Sequence, residues 1–128
     1  MTDTVSVVVP AHNVAPYLGR CLDSLTSQSY ADLDIIVVDD GSSDTTGDIC
    51  DQFARRDPRV RAVHQRNAGL SAARNTGIAA ASGAHVLFVD GDDWVGVDMV
   101  AHLRAVMNRT GADIAAGEFI RTRTEDAS

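Results

Sequence analysis

The sequence predicts an α/β protein with a mostly parallel β-sheet that is covered by helices on both faces. Consecutive apolar residues at 5–9 (VSVVV), 35–38 (IIVV) and 86–89 (VLFV) are typical of strands that are buried on both sides. Segments with apolar residues at helical spacing alternate with these runs. Polar clusters follow the runs directly, and in parallel sheets ligands bind beyond the carboxyl ends of the strands. The pattern therefore predicts both the fold class and the edge of the sheet that carries the chemistry.

Each element has its own signal, and together the signals predict the order β-α-β-α-β-α-β-α-β. We expect strands at 5–9, 34–39, 60–64, 86–89 and 112–120. The helices are marked by Leu18, Leu22 and Leu25 within 15–29, by Ile49, Cys50 and Phe53 before Pro58, by the Ala-rich segment 72–81, and by Met99, Val100, Leu103, Val106 and Met107. Ser71 is the expected cap of the third helix, and Gly83 is its expected C-terminal glycine.

The composition fits one globular unit and argues against some classes of function. The chain has 128 residues, of which 45% are hydrophobic and 23% are charged, which is enough for one domain with a real core. The formal net charge is −7, and every basic residue is Arg. Because a grip on nucleic-acid phosphates needs clustered basic residues, this balance argues against nucleic acid as a partner. It does not argue against a small phosphate ligand that is held by a metal and backbone groups.

Cysteine usage and the N-terminal sequence predict a reduced, cytoplasmic setting. Cys21 and Cys50 lie far apart and show no metal-ligand spacing, so we expect two reduced, half-buried helix residues. The N-terminal stretch MTDTVSVVVP shows no basic region followed by a long apolar run. No segment approaches the roughly 20 apolar residues that a membrane span needs.

The stretch VLFVDGDDW places three carboxylates, those of Asp90, Asp92 and Asp93, directly after an apolar strand. Like charges this close repel each other, and the repulsion grows as the site loses water. A divalent cation would offset it, because hard oxygen ligands suit Mg²⁺ or Mn²⁺ and these ions also bind substrate phosphates. Gly91 lets the backbone bend so that alternating carboxylates turn toward one ion. A solvated acidic turn without an ion is the structural alternative.

Further polar residues are predicted at the same edge of the sheet. Asp39 and Asp40 end the second strand, where a carboxylate can accept bonds from ribose hydroxyls or a base N–H. In the structural alternative, Asp40 or Ser42 merely caps the next helix, and Asp44 is expected to act as a cap. Arg74 can place a planar cation near a nucleotide or diphosphate, or it can orient the acidic cluster through a salt bridge.

Three more residues at this edge carry weaker signals. Gly69 allows close backbone approach. His12 follows the first strand, and a lone His in a loop is more often polar filling than a ligand, so we assign it no catalytic role. Trp94 is expected to pack in the core or at its edge.

Four stretches of the chain carry a resemblance to a known enzyme family. They are VSVVVPAHNVAPYLGRCLDSLTSQSY, IIVVDDGSSDTT, NAGLSAARNTGIAAASG and VLFVDGDDWV, and they cover the chain from residue 5 to about residue 95. In this order and spacing they resemble the family 2 glycosyltransferases, which are inverting enzymes with the Rossmann-like GT-A fold. His12 stands where that family usually has Tyr.

The resemblance implies that the ligand is a nucleoside diphosphate sugar, usually a UDP-sugar. It implies nucleotide contacts from the backbone around Pro10 and Ala11. Asp39 matches the family Asp that meets the base, with Asp40 beside it. Arg74 matches a basic position near the base and the diphosphate.

The resemblance also gives the acidic turn a role in the same site. Asp90, Gly91 and Asp92 match the family D-x-D that meets the ribose and a divalent metal, Mg²⁺ or Mn²⁺. Asp93 is the following acid and is expected near the ion. Asn13 and Gly69 complete the expected nucleotide-sugar-binding set.

The catalytic base is not expected within this chain, and no catalytic residue is assigned. In the family it lies well beyond the D-x-D, and the acidic pair Glu125 and Asp126 sits at the wrong distance. We expect residues 1–120 to be the nucleotide-sugar-binding part of a truncated GT-A domain and 121–128 to be a polar tail. A glycan or lipid-linked acceptor would bind to the missing half, and full-length relatives often work at the cytoplasmic face of a membrane.

Rival functions share this fold class. A dinucleotide-dependent oxidoreductase would show G-x-G-x-x-G after the first strand, where this chain has PAHN. A Mg-dependent, receiver-like phosphotransfer domain would use clustered Asp residues together with a Lys, and this chain has no Lys. A non-catalytic nucleotide-binding module is the third alternative. The donor sugar, the acceptor and the oligomeric state stay open.

Overall fold

Five strands form one parallel sheet in the computed structural model, which describes residues 3–110 and 114–115. The strands are β1 (Val5–Ala11), β2 (Leu33–Asp40), β3 (Val60–Gln65), β4 (His85–Phe88) and β5 (Ile114–Ala115). Their order across the sheet is β3-β2-β1-β4-β5, and every pairing between neighbours is parallel. The predicted α/β class is confirmed.

The helices that connect the strands follow the predicted order. They are α1 (Ala15–Thr26), α2 (Thr46–Arg56), α3 (Leu70–Ala80) and α4 (Met99–Thr110). The first helix ends at Thr26 rather than at Ser29, because the segment after it turns to contact another loop. There the Gln28 side chain donates to Gly96 O at 2.6 Å, and the Ser29 N–H donates to Val97 O at 2.8 Å. Among the described residues, no helix is long and apolar enough to cross a membrane.

The predicted start of α3 is wrong. The helix begins at Leu70, one residue before Ser71, and Gly69 occupies the capping position with φ of 101°. Because Gly69 has no side chain, the capping residue donates or accepts no side-chain hydrogen bond at the first turn. A positive φ of this size favours glycine, so the backbone of Gly69 sets the start of the helix instead of a Ser71 hydroxyl.

The predicted role of Gly83 as the C-terminal glycine of α3 is also wrong. The capping residue is Ala81, which has an extended backbone. Gly83 instead passes close to the start of β1, where its N–H donates to Ser6 Oγ at 2.8 Å. A Cβ at this position would lie 2.5 Å from Thr4 O, so glycine allows the loop before β4 to pack against the start of β1.

Only part of the last predicted strand can be compared with the structure. Within 112–120, the pair Ile114–Ala115 forms β5 beside β4. The rest of that prediction lies outside the described residues. The predicted tail 121–128, with Glu125 and Asp126, also lies outside them.

Two apolar clusters lie on opposite faces of the sheet, so helices cover both faces as predicted. The larger cluster joins the sheet to α1, α2 and α4, and the smaller one joins Val8, Ile36 and Val38 to Ala73 of α3. A Cβ added at Gly77 would lie 2.2 Å from Val8 Cγ1, so glycine at this position lets α3 pack closely on β1. Along this face the chain crosses from β3 to β4.

The chain changes direction across the sheet between β1 and β4, and ligands bind at such switch points in open parallel sheets. On one side, Ala11 at the end of β1 pairs with Asp39 of β2. On the other side, the Gly91 N–H donates to Pro10 O at 3.1 Å, just beyond the end of β4. The end of β1 therefore lies between the carboxylates at the end of β2 and those that follow β4.

Both cysteines are free and fully buried rather than half-buried. Burial, followed by the nearby Asp39 and Asp51 carboxylates, raises the pKa of Cys50 to about 12. Burial also raises the pKa of the Cys21 thiol, and the Asp93 carboxylate raises it further. Both side chains are therefore protonated thiols that pack as small apolar groups.

Candidate functional site

The turn after β4 brings three carboxylates together. One oxygen from each of Asp90, Asp92 and Asp93 lies within 4.8 Å of the others. Asp92 is exposed, Asp90 is half-buried, and Asp93 is buried with 4% of its surface exposed. The Asp93 N–H donates to Asp90 O at 3.0 Å and closes the turn. The cluster combines hard oxygen ligands with partial burial and one side that is open to solvent.

Contacts from β1 and α1 hold the backbone of this turn. A Cβ added at Gly91 would lie 3.1 Å from Val14 Cγ2 and 3.2 Å from Pro10 O, so glycine allows the turn to sit close to β1. From α1, the Cys21 thiol donates to Asp90 O at 3.5 Å. These contacts fix the acidic turn to the sheet edge.

Two arginines flank the acidic turn. Arg74 Nη2 lies 3.7 Å from Asp90 Oδ1, and the Arg74 guanidinium carbon lies 5.8 Å from the ring centroid of Phe88. Its Nε is buried and has no hydrogen-bond partner within the described part of the chain. On the other flank, the guanidinium of Arg20 lies 4.4 Å from the ring centroid of Trp94, which packs at the edge as expected. Of the two roles considered for Arg74, the structure therefore contains the ion pair with the acidic cluster.

Asp39 is a buried carboxylate that is held on both oxygens. Its Oδ1 accepts the Ser42 N–H at 3.1 Å, and its Oδ2 lies 2.9 Å from His64 Nδ1. Burial alone would raise the pKa of Asp39, but the hydrogen bonds from Ser42 and His64 outweigh it and lower that pKa. The carboxylate is therefore ionised and fixed in orientation at the end of β2.

His64 continues this chain of contacts toward the surface. Its Nε2 lies 2.8 Å from Asp51 Oδ1, so a carboxylate faces each ring nitrogen. Hydrogen bonds to Asp39 first, and then to Asp51, raise the pKa of His64 above its ordinary value.

Asp40 plays a different part from its neighbour, because it organises the loop between β3 and α3. Its carboxylate accepts four hydrogen bonds: from Gln65 Nε2 at 2.9 Å, Asn67 Nδ2 at 3.1 Å, the Ala68 N–H at 2.9 Å and the Gly69 N–H at 2.9 Å. The bond from Gln65, followed by those from the loop backbone, lowers the pKa of Asp40. Asp40 does not cap α2, and the structure gives it a clear structural role.

Asp44 supports the starts of two helices. Thr45 is the capping residue of α2, and neither Thr45 nor Ser42 bonds to the first turn as a cap. The Asp44 carboxylate instead accepts the Thr46 N–H at 2.9 Å and the Ala15 N–H at 3.3 Å. The expected capping role is thus performed from one residue before the cap position, and it extends to α1.

The loops after β1 and β2 are bound to each other. Asn13 has φ of 51°, a conformation that Asn tolerates better than most residues. Its Oδ1 accepts the Ser43 N–H at 2.8 Å, and its own N–H donates to Ser42 Oγ at 3.0 Å. His12 Nδ1 lies 2.8 Å from Asp40 O, so this nitrogen carries the proton. His12 is a structural polar residue, as its lone position in a loop suggests.

The chain matches the family model described as Glycosyl transferase family 2 over residues 6–128. The chain belongs to this family. The resemblance that rests on the four sequence stretches is confirmed. The family match gives no support to the oxidoreductase or phosphotransfer alternatives.

Curated relatives of the chain are named as glycosyltransferases. Glycosyltransferase GlyA of Streptococcus pneumoniae is 48% identical over 91% of this chain, which corresponds to 17% of GlyA. The uncharacterized glycosyltransferase EpsJ of Bacillus subtilis is 43% identical over 98% of this chain and 36% of its own length. The chain therefore spans well under half the length of these two relatives.

Solved structures confirm the GT-A fold. The crystal structure of S. aureus TarS 1–349 in complex with UDP-GlcNAc has a TM-score of 0.78 and 29% identity, and it covers 86% of this chain and 32% of that one. The mannosyltransferase PcManGT of Pyrobaculum calidifontis, in complex with GDP-Man and Mn²⁺, has a TM-score of 0.63 and 30% identity, over 71% of this chain and 28% of that one.

The structure brings the predicted site residues to one sheet edge, at the ends of β1, β2 and β4, at Gly69 in the loop after β3, and at Arg74 on α3. Sequence reasoning missed His64, Asp51 and Cys21. His64 and Cys21 occupy ordinary positions on a strand and a helix, and only the packing of α1 and α2 brings these side chains to the site.

Proposed function

We propose that the chain is the donor-binding part of a family 2 glycosyltransferase that takes a UDP-sugar with a divalent metal and transfers the sugar with inversion. The observation that carries this proposal is the arrangement around the end of β1. Asp39 lies beside Ala11 on one side, and the acidic turn lies beside Pro10 on the other. Neighbouring strands are about 4.8 Å apart, so this edge spans about 10 Å. A nucleotide lying across β1 would meet one group with its base and the other with its diphosphate.

Asp39 suits the base end of this arrangement. Each oxygen already accepts one bond from the chain, which fixes the carboxylate, and each keeps further acceptor capacity for a ligand N–H. Because the carboxylate is buried, a bond from the base would form away from bulk water, where it is stronger. The exposed glycine at position 69 would allow a flat ligand to approach closely, and the backbone of Pro10 and Ala11 lies between Asp39 and the acidic turn.

The acidic turn suits a hard divalent ion. Mg²⁺ binds at about 2.1 Å through one or two carboxylates plus phosphate oxygens and waters. Carboxylate oxygens within 4.8 Å of one another can reach such an ion after small side-chain rotations. Asp92 and Asp93, with Asp90, would hold it. When bound, the ion would offset charge on the departing diphosphate.

Arg74 would complete the charge balance at the diphosphate end. It already faces Asp90 at 3.7 Å, longer than a hydrogen bond, and its guanidinium has further donors. Small rotations would let it meet both the carboxylate and a phosphate oxygen. Contact with the diphosphate would add to the ion pair with Asp90 that Arg74 already makes.

We propose UDP over GDP because TarS, whose complex contains UDP-GlcNAc, matches this chain over a larger share than the GDP-Man-bound mannosyltransferase does. The acceptor is a glycan or a lipid-linked glycan hydroxyl. The base that deprotonates that hydroxyl lies outside the described residues in this proposal, so the chain alone would bind donor and transfer sugar poorly.

Calorimetry with UDP, with and without Mn²⁺, tests the proposal directly. We expect binding that needs the metal and that falls at least about tenfold in Asp92→Asn, because one ligand of the ion is lost. Asp23→Asn removes an exposed carboxylate from α1 and serves as the matched control with unchanged affinity. GDP, titrated in parallel, is expected to bind more weakly than UDP.

The alternative outcomes separate the parts of the proposal. Absence of UDP and GDP binding to a folded chain would overturn donor binding by this part of the protein. Tight binding that is indifferent to metal and to Asp92→Asn would overturn the metal site alone. Robust sugar transfer by the 128-residue chain would contradict the expectation that the catalytic base lies elsewhere.

A further inference from the structure

A histidine between two carboxylates lies next to the proposed base-binding residue and has no part in the function described so far. His64 lies on β3, at the edge of the described sheet, with Nδ1 at 2.9 Å from Asp39 and Nε2 at 2.8 Å from Asp51. A neutral imidazole has one N–H and can donate to only one of them. Both contacts are hydrogen bonds only when the ring carries two protons.

We propose that His64, held between Asp39 and Asp51, is a positioning residue that fixes the Asp39 carboxylate for the nucleotide base and makes donor binding depend on pH. The inference rests on the proposed function, in which Asp39 meets the base. His64 acts through Asp39 and is not expected to touch the reacting atoms.

The local backbone leaves room for this pair of side chains. A Cβ added at Gly47, in the first turn of α2, would lie 2.8 Å from Asp39 Oδ2 and 3.5 Å from His64 Cε1. A larger residue at this position would push the carboxylate away from the ring. The start of α2 therefore accommodates the Asp39–His64 contact.

The two carboxylates differ in how freely they can move. The side chain of Asp39 is 10% exposed, whereas that of Asp51 is 47% exposed. When the ring loses a proton, Asp51 can turn into water at little cost, while the buried Asp39 cannot. The proton therefore leaves from the Asp51 side, and the ring loses the contact that fixes its orientation against Asp39.

Deprotonation also changes the charge beside an anionic ligand. Two carboxylates and one imidazolium sum to a net charge of −1, and two carboxylates with a neutral ring sum to −2. A UDP-sugar carries negative charge on its diphosphate, so the second state repels it more. Both effects weaken donor binding as the pH rises.

The pH step is expected to belong to His64. The groups that raise its pKa are Asp39 on β2 and Asp51 on α2, the elements packed against this part of β3. The adjacent Cys50 has its pKa raised to about 12 by burial and by the same carboxylates, so it stays a thiol. No titration of that thiol overlaps with that of the ring.

The test is the affinity for UDP-GlcNAc, with Mg²⁺ present, measured by calorimetry from about pH 5.5 to about pH 8, where histidines titrate. This ligand is chosen because its diphosphate, unlike that of UDP, has no ionisation in the range. We expect the wild-type affinity to fall about five- to tenfold as the pH rises. Asp51→Asn should move the fall to lower pH, because the ring loses one stabilising charge.

Two isosteric variants separate positioning from general structure. His64→Asn places an amide N–H where Nδ1–H was and cannot titrate, so we expect a flat pH profile with an affinity between the low-pH and high-pH values of the wild type. His64→Gln places its amide toward Asp51 and leaves Asp39 without that donor, so we expect about tenfold weaker binding, also flat. Circular dichroism of both variants checks that they are folded.

The outcomes distinguish this inference from the function on which it rests. If the wild type binds UDP-GlcNAc but His64→Asn keeps its pH slope, or His64→Gln binds equally well, the positioning role is overturned and donor binding stands. If the wild type binds no nucleotide or nucleotide sugar at any pH, the proposed function fails and this inference falls with it.

Discussion

The carboxylates at the end of β2 and those after β4 look alike in sequence, but they differ in how many hydrogen bonds they accept from the chain. Asp40 is buried and accepts four hydrogen bonds from the chain, and Asp39 is held on both oxygens. After β4, three carboxylates crowd within 4.8 Å of one another. We infer that Asp39 and Asp40 stabilise the fold. The second group, Asp90, Asp92 and Asp93, is inferred to bind a ligand, and its mutual repulsion lowers the stability of the ligand-free chain.

The largest effect is expected from Asp40→Ala, which removes the acceptor of four hydrogen bonds. The backbone N–H groups of Ala68 and Gly69 and the side chains of Gln65 and Asn67 would lose the buried carboxylate that fixes the loop. We expect the free energy of unfolding to fall by about 3 kcal/mol. Urea unfolding measures it, and Asp48→Ala, at an exposed position of α2, should change stability by less than about 0.5 kcal/mol. If the free energy of unfolding of Asp40→Ala fell by less than about 1 kcal/mol, Asp40 would not stabilise the fold as inferred, and the contrast with the acidic turn would be contradicted.

A pair of glycine substitutions tests how tightly the second group is held to the sheet. In Gly91→Ala the new methyl would lie 3.1 Å from Val14 Cγ2 and 3.2 Å from Pro10 O, so we expect about 1–2 kcal/mol of destabilisation. Gly19→Ala lies in α1 with nothing within 4 Å, and should stabilise by about 0.5–1 kcal/mol through helix propensity. Thermal unfolding of both variants gives the comparison. Equal shifts in one direction would show that the turn is not held closely against β1.

The fold could be predicted well because its signals are local. Continuous apolar runs mark strands buried on both faces, and α3 and the other helices keep one apolar face each. The start of α3 was missed because the φ of Gly69, fixed by the loop that Asp40 holds, decided it instead of the hydroxyl of Ser71. Tertiary contacts decided that boundary.

The candidate site could be predicted only in part, for a similar reason. The D-G-D-D turn concentrates its residues within four positions, so the sequence displays it directly. The Asp39–His64–Asp51 chain joins three separate elements, and its members are 25 and 13 residues apart along the chain. No spacing rule connects them, because the contact depends on how α2 packs on β3.

Asp92→Asn should stabilise the chain slightly, whereas Asp40→Ala and Gly91→Ala are expected to destabilise it. It removes one of three like charges from the acidic turn while the exposed side chain keeps its shape. Without metal, we expect the free energy of unfolding to rise by about 0.5 kcal/mol. Urea unfolding with and without Mn²⁺ checks this, because the ion should stabilise the wild type and not the variant. A destabilised variant in metal-free buffer would contradict the view that this group is kept at the expense of stability.

The smallest effect concerns the pH dependence of stability, and its sign differs between Asp40 and His64, the ring that contacts Asp39. The lowered pKa of Asp40 means that its contribution is present above the ordinary carboxylate pKa and is lost as the pH falls. The raised pKa of His64 means that its contribution is full below the ordinary histidine pKa of about 6.5 and is lost as the pH rises through the folded value.

Urea unfolding of the wild type and His64→Asn at about pH 6 and about pH 8 isolates the histidine. We expect the wild type to lose stability relative to the variant as the pH rises. The loss should stay below about 1 kcal/mol, because the His64 side chain is 44% exposed and solvent screens its ion pairs. Parallel pH curves would mean that the ring is not held as an imidazolium between Asp39 and Asp51. The carboxylates after β2 would then be stabilised by neutral donors alone.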